Sequence, residues 1–430
     1  MTRSKLVSFV AGLTLAILCV APAQAQDSRV AALEARVAEL EAMLGKLMDE
    51  KKTQKAQPAP AAAAKPAPAM ADSSSNYSFG GYVKFDAMFS DYSDGDLAPG
   101  SAGTQFYIPA TIPVGGSPSE GYDADFQARE TRINFKSDHA LPGGDKLSTY
   151  LEMDFFLSPG GDERISNSYN PRLRHAFLKY NNWLFGQTWS TFQDVGALPE
   201  NLDFVGPSES TVFVRQAQVR YTNGPWEFAV ENPETTITPF GGGSRIVSDD
   251  GTMPDFVGRY TAKLDDGYIK AAALVRQLNY KTAGIDTDEM AFGISVSGKH
   301  MFGQNDLRWM ATYGNGTGRY LGLNTANDAV LDSGNSLEAI DQWGAFISYR
   351  HFWNDQWRSN LTFGHLSNDH DTALTGTGVT GEVQSIHLNL LYSPKPKLTI
   401  GGELVFAERE LESSASGDMT RLLLSAKYGF

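Results

Sequence analysis

Basic side chains recur in this chain within short segments that alternate apolar and polar residues: Lys84, Arg132, Arg172, Arg174, Arg220 and Arg259. Residues two apart share one face of a strand, so this spacing places the cations on one wall and apolar groups on the opposite one. Guanidiniums spread along a wall attract carboxylates and bind them bidentately without trapping them. That chemistry belongs to a selective passage, not to bond making or breaking. Asp86, Glu152, Asp154, Glu227 and Glu403 fall on the same face. Two readings therefore stay open: an arginine ladder for anions, or a wet wall on which those acids neutralise the arginines. No catalytic residue is expected. His175, His365 and His387 are scattered, with no Ser or Asp at a telling spacing, and His175 has the parity of the apolar face. His351, His365 and His370 are separated by strand and loop, so neither a metal nor a cofactor is expected. Gly241-Gly242-Gly243 lacks the strand-to-helix setting of a phosphate cradle.

The elements that must position these residues are strands. The last twelve residues, from Met419 to Phe430, show the pattern most clearly. Thr420, Leu422, Leu424, Ala426, Tyr428 and Phe430 share one parity; Arg421, Leu423, Ser425 and Lys427 share the other. The same alternation predicts sixteen strands, near 80–90, 125–136, 147–157, 171–180, 183–190, 211–221, 226–232, 254–264, 268–277, 289–299, 307–314, 340–350, 356–366, 382–392, 397–407 and 419–430. Short connections made of turn formers, such as Asn181-Asn182 and Asp265-Asp266-Gly267, alternate with long ones near 91–124, 191–210, 233–253, 315–339 and 367–381. Trp183, Trp226, Trp353 and Trp357 sit beside short turns, where an interfacial aromatic girdle lies in a membrane barrel. The expected fold is all-β: a sixteen-stranded antiparallel transmembrane β-barrel over 77–430. A soluble sandwich explains neither the girdle nor the alternation of loop lengths. The terminal strand is expected to pair with the first strand around Tyr82–Phe89. The 190–210 loop, carrying Phe192, Leu198 and Phe204, is expected to fold inward and narrow the lumen.

The first 25 residues read as a secretory signal. Arg3 and Lys5 precede an apolar run from Leu6 to Val20, and Ala23-Gln24-Ala25 offers a small-residue cleavage site. The one cysteine, Cys19, lies within that run, so disulfides and thiolate metal sites are not expected in the mature chain. Removing Arg3 and Lys5 with the signal leaves 34 basic against 50 acidic residues, a net charge of −16, which argues against nucleic acid as a partner. Val30, Leu33, Val37, Leu40, Leu44 and Leu47 follow a heptad, predicting a coiled-coil helix within 26–52. On its own that core leans toward a dimer, so a trimer would have to be imposed by the barrels. The Pro/Ala-rich stretch within 53–76 is a semi-rigid linker.

Four segments support a narrower identification. They are Gly81-Tyr82-Val83-Lys84-Phe85-Asp86, Arg172-Leu-Arg-His-Ala-Phe177, Phe185-Gly-Gln-Thr-Trp-Ser-Thr-Phe192 and Arg215-Gln-Ala-Gln-Val-Arg220. Together with Leu198-Pro-Glu-Asn-Leu-Asp-Phe204-Val-Gly-Pro207 they resemble the DcaP-like family of outer-membrane porins. The resemblance implies a homotrimer in the outer membrane of a Gram-negative bacterium, with periplasmic helices and a preference for small anions such as dicarboxylates. Outer-membrane lipid and lipopolysaccharide would surround it. The closing strand also resembles that of bacterial outer-membrane barrels, in which a terminal Phe, here Phe430, belongs to the signal read by the barrel-insertion machinery. A general or cation-selective porin, a phosphate-selective porin and a cell-wall tether with a plugged barrel remain alternatives.

Overall fold

Every strand predicted from the alternation is present. The computed structural model describes Ala42 and residues 75–430, apart from 118–120, 159, 162 and 165. Ala42 is helical; the signal segment, the heptad positions Val30, Leu33, Val37, Leu40, Leu44 and Leu47 and the linker up to residue 74 lie outside the described residues. The strands are β1 (Ser75–Tyr92), β2 (in two pieces, Asp123–Gln127 and Arg132–Ala140), β3 (Lys146–Asp154), β4 (Arg172–Tyr180), β5 (Trp183–Trp189), β6 (Arg215–Asn223), β7 (Trp226–Glu231) and β8 (Asp255–Leu264). They continue as β9 (Gly267–Thr282), β10 (Ile285–Phe302), β11 (Asn305–Asn315), β12 (Asp341–Phe352), β13 (Trp357–Asp369), β14 (Thr380–Lys395), β15 (Leu398–Leu411) and β16 (Ser416–Gly429). All neighbours are antiparallel, and β1 closes onto β16 with Tyr82 opposite Gly429 and Tyr92 opposite Met419. Closure leaves no edge, so every strand finds its hydrogen bonds within the barrel, as a hydrocarbon environment requires. Phe430 continues the seam: its amide donates to the Gly81 carbonyl at 3.1 Å, and its ring stacks on Phe79 at 5.8 Å.

Parity decides the two faces. Val83, Phe85, Phe228, Ile294, Leu361, Leu388 and Leu424 are exposed on the outside, while Lys84, Asp86, Ser297, Thr362, His387, Glu403 and Arg421 are buried inside. Tryptophans mark the end of the barrel at which β1 starts and β16 stops. There Trp183 packs on Tyr221, Trp226 on Tyr260 and Trp357 on Tyr392, with ring centroids 4.7, 4.6 and 4.5 Å apart. The Asn181-Asn182 turn at the same end uses a positive φ of 51° at Asn181, a conformation asparagine tolerates better than most residues.

The structure departs from the sequence expectation in four places. The β2 strand is broken at 128–131, and β1 pairs with both pieces. A bulge at Glu152/Met153 shifts the register of β3 against β4, so His175 turns inward and is buried instead of facing outward. Two connections at the opposite end are tight, at 283–284 and 412–415, because their strands are long; β9 and β10 run 16 and 18 residues. The wall from β3 to β7 is low by contrast, with strands of 6 to 9 residues.

Loops at that opposite end fold into the barrel. Phe192 and Val212 of the 190–214 loop and Tyr320 and Leu321 of the 316–340 loop form one core with inward residues of β8, β9 and β11–β14. Burying a side chain such as Phe192 stabilises this plug by about 2–3 kcal/mol. Four short strands, Thr235–Thr238, Ile246–Ser248, Ala329–Leu331 and Leu337–Ala339, add a small sheet. The fully buried Arg276 ties these loops to the wall through Asp328 at 2.9 Å and Asp255 at 3.4 Å.

Candidate functional site

The inner wall carries its basic residues in groups, each set by strand parity and each meeting acids from the wall or from the 190–214 loop. Arg172 grips Asp154 with Nε at 2.9 Å and Nη2 at 2.8 Å. Arg174, only 2% exposed, reaches Glu152 at 2.7 Å and Asp154 at 2.8 Å. Arg132 comes within 3.5 Å of Glu152 and lies over the Tyr82 ring. Further round, Arg259 Nε donates to Glu227 at 2.7 Å, while Arg220 lies 3.5 Å from the same carboxylate. A third group joins Arg308 to Asp306 at 2.7 Å, Arg350 to both Asp306 and Glu200, and Arg358 to Glu200. Lys299 lies 3.9 Å from Asp306. Three guanidiniums thus share two carboxylates in the first group, two share one in the second, and four cations share two in the third.

Lys84 differs. It is 3% exposed, bonded to Glu130, 3.4 Å from Asp86, and donates to the Leu202 carbonyl at 2.7 Å. One amine faces two carboxylates, so Lys84 serves as a strut between wall and loop.

The 190–214 loop follows the inner wall from β8 round to β1. The Gln193 carbonyl accepts from Arg259 at 2.7 Å, and Asp194 takes Lys270 at 2.6 Å and Ser297 at 2.9 Å. The Leu198 carbonyl accepts from Arg308. The Glu200 carboxylate receives Arg350 at 2.8 Å and Arg358 Nε at 3.0 Å, and its carbonyl accepts from Asn360 and Asn389 at 3.0 and 2.9 Å. The Leu202 amide then donates to Glu403 at 2.6 Å. Burial alone would raise the Glu200 carboxyl, but the hydrogen bonds and charges of Arg358 and Arg350 outweigh it and hold the group below the usual glutamate range.

Of the three loop residues singled out from sequence, Phe192 is a core anchor meeting Tyr320 edge-on at 5.8 Å. Leu198 is half-buried and contributes its carbonyl. Phe204 packs on Phe156, Phe106 and Phe213 at 4.8, 5.2 and 5.7 Å. Arg174 lies 5.4 Å from the Phe204 ring, so loop and arginine group face each other. Sequence reading missed Glu200, Glu130 and Arg350. Arg350 shares its parity with the buried Gln342, Phe346 and Ser348 and could have been found that way.

Glycine makes room for the loop. On the inner face of β13, a Cβ at Gly364 would stand 2.1 Å from Glu209 Oε1 and 2.7 Å from Pro207 Cβ. Gly364→Ala should therefore push the Ser208–Ser210 turn off the wall and cost about 1–3 kcal/mol, the usual penalty of overpacking. Thermal unfolding in detergent would register this as a lowered midpoint, and an unchanged midpoint would show that the loop is not seated there.

No curated protein matches the chain. Among solved structures, the outer membrane channel DcaP of Acinetobacter baumannii is similar with a TM-score of 0.68 at 24% identity, over 83% of this chain and 97% of that one. OmpF of Salmonella typhi in complex with daunomycin gives 0.53 at 10% identity, over 82% and 97%. An anion-selective porin from Comamonas acidovorans gives 0.50 at 11% identity, over 83% and 100%. These three share the barrel fold. The family description "DcaP outer membrane protein" matches residues 51–430, which takes in the whole barrel with its inward loop and arginine groups. The chain belongs to the DcaP outer membrane protein family, and it is an outer-membrane β-barrel of the porin fold.

Proposed function

We propose that the barrel is a homotrimeric, water-filled diffusion channel that favours small anions, dicarboxylates among them. The observation that carries this reading is the surplus of guanidiniums over carboxylates in the three lumen groups. Arg132, Arg172, Arg174, Arg220 and Arg259 set the selectivity, and Lys84 sets the position of the loop they face. Phe192, Leu198 and Phe204 belong to that loop, which forms the constriction. The description of the Comamonas relative as anion-selective agrees with this sign. In the mature protein the heptad from Val30 to Leu47 joins three helices in the periplasm behind the Pro/Ala linker, once the signal has been removed. Phe430 is read by the insertion machinery, and lipid and lipopolysaccharide surround the outer face.

Liposome swelling tests the channel. Vesicles carrying the protein should swell faster in an isotonic small dicarboxylate than in an uncharged solute of similar size. The cluster of Phe106, Phe156, Phe204 and Phe213 favours a second reading, a barrel whose packed loops keep it shut. Swelling in neither solute would support that second reading and reject the first.

A further inference from the structure

The outer wall is pitted at one place. Across β13–β16 a row of outward residues runs Ser359, Leu390, Gly402 and Leu424, each opposite the next. The next outward row, away from the chain termini, is leucine throughout, from Leu361 on β13 to Leu422 on β16. On the other side the Trp357–Tyr392 stack closes the strip, with ring centroids 4.5 Å apart. Between them, Ser359 offers a hydroxymethyl and Gly402 only hydrogen. The missing side chains leave an outward-opening groove of about 690 Å³. Trp353, in the turn between β12 and β13, leans over one end and donates its indole N–H to Ser359 Oγ at 3.0 Å. Glycine is not required at 402 by the backbone, since its φ is not positive. A Cβ there would stand 3.3 Å from Leu424 Cδ2, the tip of a flexible side chain. What glycine provides at this position is space.

This face lies against hydrocarbon, where an unfilled groove forfeits the dispersion contacts of its lining. A long apolar occupant restores them. Two lysines indicate what its other end carries. Lys395 and Lys397, in the turn below the groove, are exposed, and among the described residues neither meets a carboxylate. Lys395 stands opposite Leu398, and Leu390 stands opposite Gly402. Between those two levels β14 climbs about 12 Å along the membrane normal at a 45° tilt. One leaflet supplies about 15 Å of hydrocarbon, so a phosphate at the lysines places its acyl chain along the groove.

We propose that the groove over Gly402 is a binding site for an anionic glycerophospholipid, with an acyl chain beside Leu390 and Leu404 and the phosphate on Lys395 and Lys397. The inference rests on the reading that the chain termini face the periplasm, because that leaflet supplies the phospholipid. Trp353 and Trp357 hold the chain at the level where it enters the hydrocarbon. A cation near a lipid surface favours anionic headgroups by about fivefold, so the two lysines together should give about twenty-five-fold.

The test is native mass spectrometry of the full barrel in detergent, offered phosphatidylglycerol and phosphatidylethanolamine in equal amounts, with thermal unfolding in each lipid alongside. The wild type should retain phosphatidylglycerol by about the factor given and melt higher with it. Gly402→Leu fills the groove and should lose that retention while melting no lower than lipid-free wild type. The double variant Lys395→Gln/Lys397→Asn keeps the groove and should retain both lipids alike, which keeps the proposal testable if Gly402→Leu fails to insert. Equal retention of the two lipids by wild type, undiminished retention by Gly402→Leu, or a cross-link between two copies through Gly402→Cys overturns the lipid site alone. Retention of lipid A in place of phosphatidylglycerol overturns the periplasmic orientation together with the site.

Discussion

Replacing Arg172 and Arg174 together by alanine should move the zero-current potential toward cation selectivity. The first lumen group would change from three guanidiniums over two carboxylates to Arg132 alone over Glu152 and Asp154. Asp154 has a fully buried side chain and would lose both cationic partners. Removing one member of a buried pair costs about 3–5 kcal/mol, because the other charge is stranded. The double variant should therefore also melt earlier than wild type. The double lysine variant separates the two effects: it keeps the charge while losing the bidentate grip, so its permeability ratio should stay closer to wild type. An alanine variant with an unchanged anion-to-cation ratio would remove these arginines from the selectivity set.

The second large effect belongs to Glu200. Its carboxylate is the hinge pin between the loop and the third group, receiving Arg350 and Arg358 from two adjacent strands. Glu200→Gln removes the charge while its carbonyl bonds to Asn360 and Asn389 remain. The variant should lose about 2–3 kcal/mol, the scale of hydrogen bonds to charged groups. It should also raise anion preference, since Arg350 would then share Asp306 with Arg308 and Lys299, and Arg358 would keep only the Ser393 hydroxyl. The pH dependence follows from the sign of the shift. Glu200 is held below the usual glutamate range in the folded state, so its contribution is fully present above that range and is lost as pH falls through its folded value. Acid should loosen the wild-type loop toward the behaviour of Glu200→Gln, seen as faster proteolysis within 190–214. A loop equally resistant in acid and at neutral pH would contradict this role.

Strand number and facing were legible in the sequence because each strand answers to two environments. Leu388 meets the outside and His387 the inside, and one residue of slip would exchange them, so the alternation is strongly constrained. The pairing of β16 with β1 around Tyr82–Phe89 followed from the same rule. The bulge at Glu152/Met153 was not legible, since one extra residue in a ladder leaves no mark in periodicity, and His175 was placed on the wrong face for that reason. The two tight connections were hidden because strands that extend past the membrane become polar on both faces. The site was half legible. Parity found the arginines, but whether a carboxylate neutralises each one depends on cross-strand register and on acids brought by loops. Glu200 lies outside any alternating segment, Glu130 falls in the break of a predicted strand, and hydrogen bonds between residues far apart in sequence, such as Leu202 to Glu403, cannot be read from spacing.

The charge preference of the lumen shows in the sign of one potential. With the full-length protein in a planar bilayer and a gradient of potassium succinate across it, the zero-current potential should have the sign of succinate passing more readily than potassium. A potential with the opposite sign would show that the surplus guanidiniums in the lumen do not make this channel favour anions.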